Sequence, residues 1–268
     1  MPRALLALMV LGAALLTPPA PRAQDEGGYH LTLSYDGRLL VKVLDIQIEQ
    51  RVGPRSFSSS ARLVSSGILR LVRNIDERAI AEGRIAGGEA RPGVFEYQRV
   101  SSKTHRRVRT TWSDGDVQMT TSVPFKDMGF PPATPAQKLA SADPLTVILQ
   151  LGLKQTQQAA CPGSYRFFDG KQAYAVDLYD PHPAVLDDDQ KALGLTGPFA
   201  CSARFRRVAG FGKPKPGKPD EAGRPILLDL ARVGEHGPWI VTRLRARTPL
   251  GSGVIEIRKA TLVGRVPG

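Results

Sequence analysis

The chain has little of what most catalytic chemistry draws on. Its 268 residues include two cysteines, four histidines, four methionines and two tryptophans, and aromatic residues make up only 6%. His30, His105, His182 and His236 stand at no helical or hairpin metal spacing, and H-E-x-x-H is absent, so the familiar zinc patterns are excluded. There is no G-x-S-x-G elbow, no G-x-x-x-x-G-K-S/T phosphate loop and no dinucleotide fingerprint behind a strand. Asp187-Asp188-Asp189 lacks the spaced oxygens and the glycine of a calcium loop and is expected to be a solvated acidic loop. No cofactor and no metal are expected. Paired carboxylates leave no linear trace, because their separation is spatial; an envelope hydrolase therefore stands as an alternative reading.

Long apolar runs are also scarce, with one exception at the start. Met1-Pro2-Arg3 is positive, Ala4 to Leu16 is unbroken apolar, and Thr17-Pro18-Pro19-Ala20-Pro21-Arg22-Ala23 leads into Gln24-Asp25-Glu26. That order is the layout of a secretory signal. The run falls short of the roughly 20 residues a membrane span needs, so an uncleaved anchor is the weaker reading. Residues 1–23 are expected to be removed, with cleavage after Ala23 or, alternatively, Ala20; no cysteine follows either site, which argues against a lipoprotein. Residues 24–268 are then one β-rich domain in the periplasm, with no transmembrane segment after cleavage. The mature part holds 35 basic and 25 acidic residues, a net charge of +10. Export removes nucleic acid as a partner, leaving lipid, an envelope polyanion or an envelope protein as the candidates. A basic scaffold on peptidoglycan or lipopolysaccharide is a further alternative. Much of the charge is also what a solvated surface carries in any case.

Most of the chain alternates with a period of two, the mark of half-buried strands. Tyr29, Leu31, Leu33 and Tyr35 share one face; Val108, Thr110 and Trp112 alternate with Arg107, Arg109 and Thr111. Asp36-Gly37, Asp114-Gly115 and Asp169-Gly170 are read as hairpin turns, since glycine tolerates the positive φ these turns require. In the second strand the apolar set moves from Leu39, Val41 and Val43 to Leu44, Ile46 and Ile48, a change of parity that predicts a bulge. Residues 66–75 fit a strand or a helical turn equally well. Pro131 to Pro135 and Gly212 to Pro219 are loops by proline content.

One segment departs from this pattern. Asp143 is an N-cap, Pro144 suits the first helical turn, and Leu145, Ile148, Leu149 and Gly152 recur at helical spacing. So apolar a helix is expected inside the fold. The predicted architecture is mainly β: a curved antiparallel sheet, half-barrel or spiral-like, wrapped around one buried helix. Leu145, Ile148 and Leu149 are candidates to face a ligand pocket, with Trp112 on its rim. The alternative is that all four simply fill the core. Cys161 and Cys201, in a chain sent to an oxidising compartment, are expected to pair. No C-x-x-C is present and no histidine lies nearby in sequence to activate a thiolate.

With these segments placed, the sequence resembles the bacterial domain-of-unknown-function family 3108, in its alphaproteobacterial type with a cysteine pair. The likeness runs from Tyr29-His30-Leu31-Thr32-Leu33 and Gly37-Arg38-Leu39-Leu40-Val41 through Ser66-Gly67-Ile68-Leu69 and Asp143-Pro144-Leu145. It continues in Cys161, Phe168-Asp169-Gly170-Lys171 and Cys201-Ser202-Ala203-Arg204. Members often carry glycine where Lys42 stands, so no tight backbone approach is expected there. The resemblance implies an exported protein without assigned activity and brings no catalytic residues. Taken together, these readings favour a noncatalytic envelope module that binds a hydrophobic or amphipathic ligand, or a partner, and supports envelope integrity.

Overall fold

The computed structural model describes residues 27–72, 74–100, 105–213, 225–248 and 251–265. The expected signal peptide and most of the proline-rich segment after Gly212 lie outside the described residues. Thirteen strands are present among the described residues. The first seven are β1 (Tyr29–Arg38), β2 (Lys42–Val52), β3 (Ser56–Ser65), β4 (Asp76–Ala86), β5 (Glu89–Arg99), β6 (Arg107–Ser113) and β7 (Asp116–Thr121). The rest are β8 (Gly163–Phe168), β9 (Ala173–Pro183), β10 (Leu195–Ala209), β11 (Pro225–Val233), β12 (Trp239–Thr248) and β13 (Gly251–Gly264). They form one antiparallel sheet in the order β7-β6-β5-β4-β3-β2-β1-β13-β12-β11-β10-β9-β8.

Two meanders are therefore joined back to back where the last strand pairs with the first, Tyr29 opposite Gly264 and Arg38 opposite Val254. The sheet is open between β7 and β8. The connecting segment closes that seam: Phe130 N–H donates to Phe211 O at 2.7 Å, and Gly210 N–H donates to Pro131 O at 2.7 Å. Further along, Ala142 forms a parallel bridge with Phe167 of β8. Val117 of β7 then shares a small buried cluster with Phe168, Ala173 and Ala209 from the opposite edge.

The alternation predicted for the strands is what the sheet shows. Tyr29, Leu31, Leu33 and Tyr35 are all buried, as are Val108 and Thr110, while Arg107 and Arg109 are exposed. Outside, arginines pair with carboxylates across neighbouring strands: Arg62 with Asp76, Arg99 with Glu77 and Arg206 with Asp177.

Among the described residues, five short helices lie between strands: α1 (Gly67–Val72), α2 (Pro135–Leu139), α3 (Pro144–Gly152), α4 (Gln157–Ala160) and α5 (Asp188–Ala192). The ambiguous stretch after Ser66 resolves as α1. α3 is the predicted central helix, with the Asp143 carboxylate accepting from the N–H groups of Leu145 and Thr146 at 3.0 and 2.9 Å. These are two of the N–H groups that a helix start leaves without intrahelical partners.

Four local expectations need correction. Asp36-Gly37 is not the first turn: both residues lie within β1, and the hairpin tip is Leu39-Leu40-Val41, with Leu40 99% exposed. Gly37 serves cross-strand packing instead, since a Cβ there would lie 2.8 Å from the Cβ of Leu44. The predicted bulge is present beside it, where Gly37 faces Leu44 but Arg38 faces Lys42, leaving Val43 as the extra residue. The acidic run after Leu186 is not a loop but the start of α5, with Asp187 and Gln190 forming a capping box. Pro135 likewise opens α2 behind the cap Thr134. Backbone does approach closely at Lys42, because Gly67 (φ +54°) sits where a Cβ would be 2.8 Å from the Lys42 carbonyl oxygen.

The turns at Asp114-Gly115 and Asp169-Gly170 stand as expected. Asp114 and Gly115 have φ of 46° and 79°, which places both in the left-handed region of a type I′ hairpin. The Asp169 carboxylate accepts from Lys171 and Gln172 N–H at 2.9 and 2.7 Å.

Candidate functional site: the spaces around the central helix

Helix α3 runs through the concave side of the sheet, and its surroundings differ by direction. One side is filled. Leu145 and Leu149 join the main core with Phe57, Ala81, Ala90 and Phe95 from β3, β4 and β5, and Leu149 has no exposed surface. Gln150 Nε2 ties this side down by donating to Ala90 O at 2.9 Å.

The opposite side borders a trough of about 270 Å³. Val147, Ile148 and Leu151 of α3 form one wall. Leu33 and Tyr35 of β1 with Ile46, Ile48 and Gln50 of β2 form a second. Strands β8 and β9 supply Tyr165, Phe167, Val176 and Leu178, and the C-terminal strands add Leu228, Trp239, Ile240, Val241, Leu244 and Ile255. No charged side chain lines it. Many of these apolar residues, Ile46, Ile48, Val176, Val241, Leu244 and Ile255 among them, are only half-buried, and Ile148 is 38% exposed. A packed core does not leave such residues partly bare.

Two polar cavities flank the trough. One, of about 550 Å³, lies beside the start of α3 and is lined by Arg78, Arg99, Arg106, Lys171, Glu77 and Asp169 over an aromatic floor that includes Tyr97 and Phe125. Its charges are largely committed to the fold. Arg99 pairs with Glu77 at 2.8 Å. Arg106 donates to Val123 O at 2.9 Å and lies over the Phe125 ring. Burial pushes the Asp169 carboxyl up and the Tyr97 hydroxyl up to about 12, yet Asp169 is already engaged in the β8–β9 turn. The other cavity, of about 800 Å³, opens at the far side of α3 between Gln150, Lys154, Arg91, Trp112 and Arg166.

The four residues expected to share one pocket are separated by the fold. Ile148 lines the trough. Leu145 borders the polar cavity at the helix start, and Leu149 is filled core. Trp112 lies on the wide polar cavity, its indole N–H donating to Ser141 O at 3.1 Å. Cys161 and Cys201 do pair, across 40 residues, tying the end of α4 to β10 behind the trough. The bond lies in a buried cluster with Leu178, Phe199, Leu228, Leu230 and Trp239.

Two residues of the trough wall escaped the sequence reading, Gln50 and Trp239. Their signal was present. Gln50 interrupts the series Ile46, Ile48, Val52 at an inward position, and Trp239 is the only other tryptophan. Asp143 is wholly buried at the head of α3; burial outweighs its three hydrogen bonds and raises its carboxyl to about 6. Among the described residues, no helix is long and apolar enough to cross a membrane, and no cluster of three metal-ligating side chains occurs.

No family model matches the chain, and no curated protein matches it. Among solved structures it is similar to a beta-barrel-like protein of domain of unknown function 1849 from Brucella abortus. That likeness is at 12% identity over 89% of this chain and 99% of the other, with a TM-score of 0.47.

Proposed function

We propose that this chain is an exported, noncatalytic envelope module that shelters the apolar part of an amphipathic ligand in the trough beside α3. The observation that carries the reading is the lining itself: eighteen residues from eight strands and helices converge on the trough, none of them charged and most of them apolar. At about 270 Å³ it lies just below the roughly 300 Å³ at which small-molecule pockets begin, a size for one slender chain rather than a bulky ring system. Export is supported by the secretory layout of residues 1–23 and by the Cys161–Cys201 bond. Kinship with family 3108 belongs to the same proposal and rests on the order of its quoted segments and the cysteine pair.

Neither alternative has comparable support. In the cavity at the start of α3, Glu77 is held by Arg99 and Asp169 by its turn, so neither carboxylate is poised for hydrolysis. Cross-strand pairs such as Arg62–Asp76, Arg99–Glu77 and Arg206–Asp177 neutralise part of the basic surface. The test is native mass spectrometry of the full chain, expressed with its leader and recovered from the oxidising compartment. The expected result is a fraction carrying a lipid-sized adduct that exchanges for added N-phenyl-1-naphthylamine. A bare mass together with no uptake of that dye overturns the proposal.

A further inference from the structure

Two hydrogen-bond donors on the trough wall lack acceptors. Gln50 and Trp239 are 3% and 5% exposed, both line the trough, and neither Gln50 Nε2 nor Trp239 Nε1 has a partner. An unpaired buried donor is costly to a fold, on the order of 1–3 kcal/mol each, and native proteins keep few of them. Two such donors on one cavity wall point to an acceptor that arrives from outside.

The strand register sets where they lie. Gln50 faces Leu31 across β1, beyond the Ile48–Leu33 and Ile46–Tyr35 pairs that lead back to the β1–β2 hairpin. Trp239 opens β12, five residues before Leu244, which pairs with Ile255 opposite Gly37 beside that same hairpin. Both donors therefore occupy the end of the trough remote from the hairpin, while Ile46, Leu244 and Ile255, together with the Tyr35 ring, make the hairpin end mainly apolar. The trough thus has a polar end and a greasy end. No cation lines it, and Arg232, which lies over the Trp239 ring at 4.5 Å, donates to the backbone carbonyls of Gly237 and Gln155; a carboxylate at the donor end would thus be a buried charge without a counterion in the trough, a costlier arrangement than a neutral oxygen.

Resting on the trough reading above, we infer that the ligand is a single acyl chain bearing a neutral carbonyl, an ester or an amide, with its oxygen at the Gln50–Trp239 end and its tail toward the β1–β2 hairpin.

Methyl laurate, laurate and dodecane are the probes, titrated into the full chain and into its Gln50→Leu and Trp239→Phe variants. Binding is read by displacement of N-phenyl-1-naphthylamine, and the thermal midpoint of each empty protein is recorded. For the native chain, methyl laurate is expected to bind roughly tenfold or more tighter than either laurate or dodecane, the worth of about one buried hydrogen bond. Gln50→Leu should erase most of the ester preference over dodecane while leaving dodecane binding intact, and it should raise the melting point of the empty protein by removing an unpaired group. Trp239→Phe should lower the ester preference without changing dodecane binding. Equal binding of all three probes overturns the inference but leaves the trough reading standing, as does preference for laurate. Failure of every probe to bind removes both. Loss of stability or of folding in Gln50→Leu also overturns the inference, because it means the carboxamide is satisfied within the fold.

Discussion

The two sides of helix α3 make opposite use of the same kind of residue. Toward β3, β4 and β5, Leu149 shares a solid core with Ala81, Ala90 and Phe95 and has no exposed surface, while Leu145 joins that core and also borders the polar cavity at the helix start. Toward β1, β2 and the C-terminal strands, Val147, Ile148 and Leu151 meet side chains of similar chemistry across a gap. The difference lies in the sheet. On the filled side, small buried residues such as Ala81 and Ala90 stand on the strands facing the helix, and Gln150 anchors it to β5. On the hollow side the disulfide cluster and the β1–β13 junction hold the far wall in place. An apolar helix face thus says that a side chain avoids water, and the backbone behind it decides whether protein or ligand supplies the contact.

Four substitutions probe that contrast, beginning with the largest effect. Replacing both Cys161 and Cys201 with alanine releases a loop of 40 residues, and the chain-entropy model puts the loss at about 4 kcal/mol. Urea unfolding should show that loss, and because the bond braces the hollow side, dye binding should weaken as well. Next, Leu149→Ala on the filled side removes a side chain with no exposed surface; a loss of about 3 kcal/mol, within the usual range for buried leucine, is expected in the same unfolding assay with no effect on ligand affinity in protein that remains folded.

The third concerns the head of the helix that both sides share. Asp143 has its folded pKa raised from the ordinary 3.8 to about 6, chiefly by burial. Folding therefore favours the protonated form, and this contribution is whole below about pH 4 and is lost as pH rises through about 6, a swing of about 3 kcal/mol. Asparagine caps helices about as well as aspartate. Asp143→Asn should accordingly flatten the stability profile between pH 4 and 7 without unfolding the protein, and an unchanged slope would assign the titration elsewhere. The smallest effect is expected at Ile148. Its side chain is 38% exposed on the trough wall, so Ile148→Ala should cost under about 1 kcal/mol yet weaken dye binding several-fold. A loss as large as that of Leu149→Ala would mean the two sides are alike.

Much of the architecture followed from local pattern. Period-two alternation placed β1, β6 and β11 to β13, the Asp143-Pro144 pair placed α3, and a parity shift placed the bulge at Val43. These succeed because each is decided by neighbours in sequence. The β1–β2 turn failed for a different reason: Asp-Gly fits a type I′ turn, but Gly37 was needed for close contact with Leu44, and the tip moved to apolar, exposed residues that no turn rule selects. The pocket failed more deeply. Leu145, Ile148 and Leu149 lie within five residues of each other on one helix, yet they face a polar cavity, a trough and solid core. Helical spacing fixes the angles between side chains, whereas the curl of a thirteen-stranded sheet, set by pairings as distant as Tyr29 with Gly264, fixes what stands opposite each one. Gln50 and Trp239 acquire meaning only once β2 and β12 share a wall.

The hollow side is tested most directly by filling it. Val176 is half-buried on β9 and faces the trough, so Val176→Phe adds bulk where the account places empty space. The prediction is an unfolding midpoint equal to or above that of the native chain, together with loss of methyl laurate and dye binding. A destabilisation of about 1–3 kcal/mol, the usual result of overpacking a solid core, with binding unchanged, would contradict it.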